Sequence, residues 1–400
     1  MEKPERFSNL PEYAFPRLRS LLDGHAPGAE PIHMTIGEPT HPMPQKLGEV
    51  LTLHLSGFAK YPANNGVPHL LEEIGAWVSR RYGVTLDVAE NILPLNGTRE
   101  GLFNAVLAVS PERKVHHRPS VLIPNPFYQA YAVGALGAGA EPYFVAATEA
   151  SGFLPDYHSV PSDILDQTSI AFICSPSNPQ GAIASEAYLR ELLELAEQHD
   201  FVIFADECYS EIYDDDAAPP GLLSVAREHG FGLDRVAVFH SLSKRSNLPG
   251  LRSGFVAGGA ELIKELKTLR AYAGAPLPEP LQHVATYAWS DEEHVDHNRS
   301  LYREKYKIAR DVFGDVAEVT VPKAGFFLWL PVDDGERAAL NLWKTTGVRV
   351  LPGAYLSRKM GEKDPGFGYV RVAMVADKET VESGLTRIRD QLYKGDSRDL

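Results

Sequence analysis

The sequence predicts an α/β protein, with a large domain built on a mostly parallel sheet and a smaller α+β domain beside it. Three observations carry this prediction: short and almost uninterrupted apolar runs, helical patterns between those runs, and a change of pattern near residue 280. Strands that are apolar along their whole length are typical of parallel sheets covered on both faces. The length of 400 residues is sufficient for one large domain and a smaller partner.

The middle of the chain alternates between strand and helix patterns. Between the second and third predicted strands, Ser185 is placed to cap a helix whose apolar residues recur at helical spacing, at 189, 192, 193 and 196. Ligands of parallel sheets bind beyond the carboxyl ends of the strands, so we look for functional residues there. The predicted buried strands are Val121–Asn125, Ile170–Cys174, Phe201–Ala205, Val236–His240 and Gly254–Gly258.

The two ends of the chain differ from this middle part. Gly274–Pro280 interrupts the pattern with three prolines, a long helical pattern follows, and Ala324–Leu330 and Gly368–Ala373 are predicted as further strands. We therefore predict an N-terminal segment, residues 1–40, that packs with the small domain. The large domain is predicted over residues 41–280 and the small domain over residues 281–400.

Composition argues against several classes of function. The formal net charge of -14, without a basic run, disfavours a nucleic-acid or anionic membrane surface. No stretch approaches the roughly 20 apolar residues of a membrane span. The two cysteines, Cys174 and Cys208, end strand-like runs and are predicted to be buried free thiols, and no residues have metal-ligand spacing. We expect a cytoplasmic protein without a metal, nucleic-acid or membrane partner.

Four polar residues lie at or just beyond the ends of three predicted strands: Asn178, Asp206, Tyr209 and Lys244. A lysine amine can form a Schiff base with an aldehyde cofactor, and an aspartate can keep a pyridine nitrogen protonated. Tyr209 and Asn178 are placed to hydrogen-bond a ring hydroxyl. The alternative for Lys244 is a surface lysine paired with a carboxylate, but a solvated side chain is unexpected directly after a buried strand.

A phosphate site is predicted where Gly97, Thr98 and Arg99 precede a helical pattern. A glycine at a helix N-terminus leaves backbone N–H groups free to face an anion. By itself this motif is also a common turn. Ser241 and Arg252 flank Lys244 at positions from which both can donate to the same phosphate, and the combination is more specific than the turn alone.

The substrate side of the site is predicted around Arg371. This arginine lies within a strand-like run between apolar residues, and a buried arginine requires a carboxylate, which an amino acid supplies. The alternative is an internal salt bridge. Gly37 would let the backbone approach the same carboxylate. Tyr128 is placed to stack on a cofactor ring, with plain core packing as its alternative.

In order and spacing these motifs resemble the class I/II aminotransferases of the fold type I pyridoxal-phosphate enzymes, over nearly the whole chain. The resemblance implies the fold of that family, with a seven-stranded sheet, and pyridoxal phosphate as cofactor. The segments that carry it are Ile36–Pro39, Tyr61–Pro62 with Gly66, Asn96–Thr98, Pro126–Tyr128, Ser177–Pro179, Asp206–Tyr209, Ser241–Lys244, Arg252 and Arg371.

The resemblance also implies a role for each residue. Lys244 forms the Schiff base and moves the substrate proton, and Asp206 pairs with the pyridinium nitrogen. Arg371 holds the substrate carboxylate, together with Gly37 and Asn178. Tyr61 matches a tyrosine that reaches the neighbouring subunit's phosphate, which implies a homodimer with shared sites. The remaining cofactor contacts are implied for Gly97, Thr98, Arg99, Tyr128, Asn178, Tyr209, Ser241 and Arg252, with Arg99 at a position that varies in the family.

Within the family, four stretches are similar to the bacterial N-succinyldiaminopimelate aminotransferases: 95–103, 124–129, 239–254 and 350–358. This implies ping-pong transamination between N-succinyl-L,L-diaminopimelate and 2-oxoglutarate in lysine biosynthesis. A broad-specificity aspartate or aromatic aminotransferase and a carbon–sulfur β-lyase are the alternatives. Gln180 stands where threonine is usual. Arg17 and Arg99 are the candidates for binding the distal part of the substrate.

Overall fold

The computed structural model describes residues 7–8, 10, 12–214 and 217–394. The helices are α1 Ala14–Leu22, α2 Leu47–His54, α3 Pro68–Tyr82, α4 Val88–Asn91, α5 Thr98–Val109, α6 Gln129–Gly137, α7 Ser162–Gln167, α8 Glu186–His199, α9 Leu222–Glu228, α10 Leu242–Arg245, α11 Ala260–Ala273, α12 Glu279–Ser290, α13 Glu293–Phe313, α14 Gly335–Thr346 and α15 Lys378–Leu392. The strands are β1 Ile32–His33, β2 Ile92–Leu95, β3 Ser120–Asn125, β4 Glu141–Ala146, β5 Thr168–Cys174, β6 Val202–Asp206, β7 Val236–Ser241, β8 Gly254–Gly258, β9 Phe327–Pro331, β10 Val348–Arg349, β11 Leu351–Pro352 and β12 Tyr369–Ala373.

Seven strands form one sheet in the order β2-β8-β7-β6-β5-β3-β4. Strands β3 to β7 run parallel to one another, and β8 is antiparallel to both of its neighbours. The mostly parallel seven-stranded sheet is therefore confirmed. Because β8 runs in the opposite direction, its first residues lie at the same edge of the sheet as the carboxyl ends of β5, β6 and β7.

Residues of the sheet alternate between two apolar cores. Ile203 and Ala205 of β6 face one core, whereas Phe204 between them faces the other. Both faces are covered, and the central strands therefore carry apolar residues at every position rather than at every second one. The five predicted strands and the helix capped by Ser185 are confirmed.

The sequence patterns did not single out strands β2 and β4, which form the two edges of the sheet. Each contains a proline, Pro94 and Pro142, which interrupts the apolar pattern and lacks a backbone N–H. The long helical pattern after residue 280 is two helices, α12 and α13, separated at Asp291–Glu292.

A second group of elements forms its own core. Strand β12 pairs with β9 and β11 in an antiparallel sheet, and β1 pairs with β10. Helix α1 packs on α14 through Leu18, Leu22 and Trp343. The domain boundaries that we predict stay a prediction, and helix α12 packs with the core of the large sheet through Val284 and Trp289.

No helix among the described residues is long and apolar enough to span a membrane. Both cysteines are free; Cys174 is buried, whereas Cys208 is half-buried. No group of three or more potential metal ligands lies together in the part of the chain that the structure describes.

Candidate active site

The predicted site residues lie beyond the carboxyl ends of the parallel strands of the large sheet. Asp206 ends β6, and Lys244 lies on α10 directly after β7. Gly97 and Thr98 begin α5 after β2, and Tyr128 precedes α6 after β3. Arg371 comes from β12 of the smaller sheet. The topology thus brings residues from five separate segments to one edge.

Lys244 is a half-buried side chain whose amine points into the site. Its Nζ donates to the carbonyl oxygen of Gly37 at 2.5 Å and lies 5.5 Å from the ring centre of Phe326. Burial lowers the pKa of the Lys244 amine to about 8, and the nearby cations Arg371 and Arg252 act in the same direction. A lysine with this pKa is neutral in a useful fraction near pH 8 and is therefore a competent nucleophile and base.

Asp206 is buried, with 6% of its surface exposed, and both of its oxygens are held. The hydroxyl of Tyr131 donates to Oδ2 at 2.6 Å, and the backbone N–H of Cys208 donates to Oδ1 at 3.3 Å. The ring of Tyr131 is stacked on Phe172 with 4.2 Å between centres. Neither donor carries a charge, so Asp206 has no cationic partner among these hydrogen bonds. A protonated pyridine ring would supply that partner.

Arg371 is a buried cation without an anion. It is 5% exposed, and within the described residues it forms no ion pair with a carboxylate. Its Nη1 donates to Oδ1 of Asn178 at 2.9 Å and its Nη2 to the carbonyl of Thr35 at 2.7 Å, while its Nε has no partner. Burial lowers the pKa of Arg371 to about 10, and the guanidinium remains charged at neutral pH. The internal salt bridge that was the alternative is absent from the described residues, and a free donor is left for a carboxylate ligand.

An anion cradle lies at the start of α5. Gly97 has φ +81°, and a Cβ atom at this position would lie 2.0 Å from Nη2 of Arg252. Only glycine therefore allows this guanidinium to approach the helix N-terminus. Next to it, the hydroxyl of Thr98 accepts from the thiol of Cys208 at 3.3 Å.

Ser241 lies on the other side of Lys244, at the N-terminus of α10. Its Oγ accepts from the backbone N–H of Ser243 at 3.1 Å and donates to Oγ of Ser243 at 2.9 Å. The side chain therefore caps the short helix that carries Lys244 and remains near the strand end, where we predict the phosphate.

The ring-stacking residue is held at the mouth of the site. Nε of Arg99 donates to the hydroxyl of Tyr128 at 2.6 Å, and Tyr128 packs edge-on against Tyr131 with 5.6 Å between ring centres. Tyr209 is buried against Phe326 and Phe327, and burial raises the pKa of its hydroxyl well above the usual value. Tyr209 is therefore a neutral hydrogen-bond donor near pH 7.

Two of the predicted residues are not brought into this cluster. Tyr61 is fully exposed and forms no hydrogen bond with the other predicted site residues within the described chain. Arg17 pairs with Glu336 at 2.7 Å and lies over the ring of Tyr355, so its charge is already compensated. Gln180 is buried beside Tyr128 and Asn178, and its amide nitrogen has no partner in the described structure.

Comparison with known proteins identifies the family. Residues 29–388 match the model of the aminotransferase class I and II family. The chain belongs to this family. It is also 31% identical to an LL-diaminopimelate aminotransferase of Dehalococcoides mccartyi over 97% of this chain and 98% of that protein.

Solved structures of aminotransferases have the same fold. An aminotransferase from Neisseria meningitidis superposes with a TM-score of 0.92 at 40% identity, covering 96% of this chain and 98% of that one. A probable N-succinyldiaminopimelate aminotransferase from Thermus thermophilus superposes with a TM-score of 0.80 at 26% identity, covering 95% and 98%. The chain is thus a fold type I transaminase, and its cofactor is pyridoxal phosphate.

The residues present fit this cofactor. The glycine-enabled cradle at Gly97 and Arg252 suits a phosphate, the uncompensated carboxylate of Asp206 suits a protonated ring nitrogen, and Lys244 offers an amine of lowered pKa. The assignment of individual roles to these residues remains our proposal.

Three contacts of the site lay outside the sequence prediction: those of Tyr131, Thr35 and Cys208. Tyr131 was visible as part of an aromatic pattern, Pro126–Tyr131, but its partner Asp206 is 75 residues away. Thr35 contributes only its backbone carbonyl, which leaves no trace in the residue type. For Cys208, the signal available in the sequence was its position two residues after Asp206.

Removing the Tyr131 hydroxyl tests whether Asp206 depends on it. In Tyr131→Phe the ring remains on Phe172, but Asp206 loses a buried donor, and a hydrogen bond to a charged group is worth roughly 1.5–3 kcal/mol. We expect the affinity for pyridoxal phosphate to fall about tenfold and kcat/KM to fall about 10- to 100-fold. Absorbance titration and steady-state kinetics measure both. Tyr188→Phe is the control, because that hydroxyl donates to the carbonyl of Pro155 instead; equal behaviour of the two variants would contradict the role of Tyr131.

Proposed function

We propose that this transaminase transfers the amino group of N-succinyl-L,L-diaminopimelate to 2-oxoglutarate, in lysine biosynthesis. The observation that carries the amino-acid part of this proposal is the buried guanidinium of Arg371, which lacks a carboxylate partner among the described residues. Both the amino donor and 2-oxoglutarate supply a carboxylate at the reacting carbon. One arginine therefore serves both halves of a ping-pong cycle.

Each residue of the site has a task in this proposal. Arg371 and Asn178 bind and orient the substrate carboxylate, which places the α-carbon beside the Lys244 amine. Lys244, once free, removes the α-proton and returns it on the cofactor side. The bound cofactor supplies an electron sink, and Asp206 keeps that sink effective by holding the ring nitrogen protonated. The ring of Phe326 restricts water near the Lys244 amine, and the ring of Phe327 does so near the Arg371 guanidinium.

Two candidate amino-group donors differ in the part of the molecule that is distant from the reacting carbon. A succinyl group ends in a carboxylate, and Arg99 at the mouth of the site has no carboxylate partner within the described chain. This favours the succinylated donor, as does the name of the Thermus relative. The second candidate is L,L-diaminopimelate itself, whose distal end carries an ammonium group and one carboxylate but lacks the additional carboxylate of the succinyl group. The names of the curated relatives favour it, and so does the exposed carboxylate of Glu38, which acts electrostatically on Lys244.

We also propose that the active protein is a homodimer. The exposed apolar side chains Leu53, Leu55, Phe58 and Tyr61 come from one stretch of chain, the last turn of α2 and the segment that leads to α3. Contiguous exposed apolar surface of this kind marks an interface. A second copy would cover these side chains and bring Tyr61 to the neighbouring phosphate.

The function is tested by offering both donors to the purified protein loaded with pyridoxal phosphate, with and without 2-oxoglutarate. We expect glutamate to form with N-succinyl-L,L-diaminopimelate only when both substrates are present. Arg99→Gln should raise KM for the succinylated donor about tenfold and leave KM for the free amine nearly unchanged, because it removes one charge-assisted contact. Glu38→Gln is the matched variant. If the free amine is the substrate, this variant should raise KM for L,L-diaminopimelate and leave KM for the succinylated donor nearly unchanged. Turnover of neither donor, with turnover of aspartate or an aromatic amino acid, would reject the proposed substrate.

A further inference from the structure

A line of hydrogen bonds behind Lys244 is not explained by cofactor or substrate binding. Nζ of Lys305 lies 2.7 Å from Nε2 of His41, and Nδ1 of His41 lies 2.6 Å from Oδ1 of Asn298. The amide nitrogen of Asn298 donates to the backbone carbonyls of Lys244 at 3.4 Å and Arg245 at 3.3 Å. The line therefore starts at a buried lysine of α13 and ends on the backbone of the lysine that we assign to catalysis.

The contacts are consistent with one direction of donation only. Lys305 can only donate, so Nε2 of His41 must accept, and the proton of the neutral ring is then on Nδ1. Nδ1–H donates to Oδ1 of Asn298, which leaves the amide N–H groups for the two carbonyls. Burial and the charge of Lys305 lower the pKa of His41 to about 4, so the ring is neutral at physiological pH. Asn247 also donates to Oδ1 of Asn298, at 3.1 Å, which fixes the orientation of the amide independently.

The two carbonyls that Asn298 binds lie at the C-terminal end of a short helix, where no further turn of helix supplies donors. Helix α10 has four residues, and the last carbonyls of any helix lack a partner within it. Lys244 and Arg245 are the last two residues of α10. The side chain of Asn298, which is 3% exposed, therefore acts as a cap at the C-terminal end of the helix that carries Lys244.

The burial of the Lys305 amine reduces the stability of the fold. Lys305 is 2% exposed and, within the described chain, pairs with no carboxylate; besides His41, its Nζ contacts the carbonyl of Val375 at 3.1 Å. Burial lowers the pKa of its amine to about 8. The carboxylate of Asp377 acts on this amine electrostatically in the opposite direction, but it forms no ion pair with it among the described residues. A buried charge without a contacting counter-ion reduces stability, so its retention needs a benefit elsewhere. Fixing the neutral tautomer of His41 is such a benefit.

His41 also belongs to the segment that contacts the substrate side of the site. Gly37 of that segment accepts from Lys244, and Thr35 accepts from Arg371. Thr40 donates to the carbonyl of Val375 at 2.6 Å, the same carbonyl that Lys305 contacts. One short segment, residues 35–41, is thereby anchored to α13 and to both functional cations.

We propose that Lys305, His41 and Asn298 are positioning residues, which hold the backbone of Lys244 and the 35–41 segment in the geometry that the lysine amine needs for reaction. This proposal rests on the proposed role of Lys244. Among the described residues, none of the three side chains hydrogen-bonds the side chain of a predicted cofactor- or substrate-binding residue; they act through the backbone of α10. Their loss should therefore lower the rate of lysine chemistry and leave substrate affinity nearly unchanged.

The test uses the full-length protein and two readouts. The first is the rate at which Lys244 forms its Schiff base when pyridoxal phosphate is added back to the protein, with the site identified by borohydride trapping and peptide mapping. The second is kcat against KM. We expect Asn298→Ala to lower the Schiff-base rate and kcat about tenfold, since the carbonyls of Lys244 and Arg245 lose their donor, with KM within about twofold of wild type. Ser300→Ala, on the same helix but bonded only to the carbonyl of His297, should change neither.

A pair of His41 variants separates positioning from packing. In His41→Asn the amide can still donate to Asn298, whereas in His41→Leu it cannot. We expect the Asn variant to retain a rate within about threefold of wild type and the Leu variant to fall about tenfold. Equal rates in this pair, or wild-type kinetics in Asn298→Ala, would overturn the proposal. If Asn298→Ala does not fold, the His41 pair decides, because both variants keep Asn298. If wild-type protein forms no Schiff base at Lys244, the proposed function fails, and that outcome is distinct from failure of the positioning role alone.

Discussion

Lys244→Ala is expected to abolish transamination, with a loss of more than about 10⁴-fold in kcat. The variant removes the nucleophile that holds the cofactor and the base that moves the α-proton, and general acid–base catalysis alone contributes about 10²–10⁴-fold. The neighbouring Gly37 carbonyl loses its donor, but no carboxylate is left unpaired, so the fold should persist. Absorbance of the loaded protein and glutamate formation measure the two losses separately.

The pH dependence of the wild-type protein provides an independent check of this role. The amine of Lys244 has a pKa of about 8, lowered by burial, and only the neutral amine attacks an aldehyde. The rate of cofactor attachment should therefore rise with pH and become constant above about pH 8, whereas an exposed lysine would continue to gain reactivity to about pH 10. Lys264→Ala, at an exposed position of α11, is the matched control and should behave as wild type. Full activity in Lys244→Ala would reject the assignment of the site.

The elements that position the site were predictable where the signal is local. The strands ending at Cys174, Asp206 and Ser241 are buried on both faces, so each contains an unbroken run of at least four apolar residues that is easily recognised. The edge strands containing Pro94 and Pro142 were not recognised, because β2 has four residues and β4 begins with Glu141 and Pro142, so neither forms a long apolar run. The break between α12 and α13 was missed because both helices bury apolar residues at the same spacing.

The candidate site could also be predicted only as far as local sequence signals reach. Residues such as Asn178, Asp206 and Lys244 lie at strand ends, and parallel strands bring those ends together whatever the details of packing. The partners of these residues depend on how distant elements meet. Tyr131 contacts Asp206 because β3 and β6 lie on either side of β5, and Lys305 contacts His41 across 264 residues of sequence. No periodicity within one segment carries that information.

The second large effect is expected at Asp206. In Asp206→Asn the side chain keeps its shape but cannot carry the negative charge that a protonated ring nitrogen requires. The cofactor should still attach to Lys244, since the phosphate cradle and the amine are untouched, whereas the electron sink is lost. Removal of one preorganised electrostatic partner typically costs about 10²–10³-fold in kcat, and we expect at least that here.

The structure makes this variant more informative than Asp206→Ala. The Tyr131 hydroxyl and the Cys208 N–H, which donate to Asp206, can both donate to the one amide oxygen of asparagine only with poorer geometry, so a part of the loss could be structural. The double variant Tyr131→Phe with Asp206→Asn removes that conflict. If the negative charge of Asp206 is required, the double variant stays as inactive as Asp206→Asn. Recovery of activity would show that the Tyr131 hydroxyl, left without a good acceptor, caused the loss. Cofactor attachment is measured beside kcat, so that the activity of each variant is compared per molecule that carries pyridoxal phosphate.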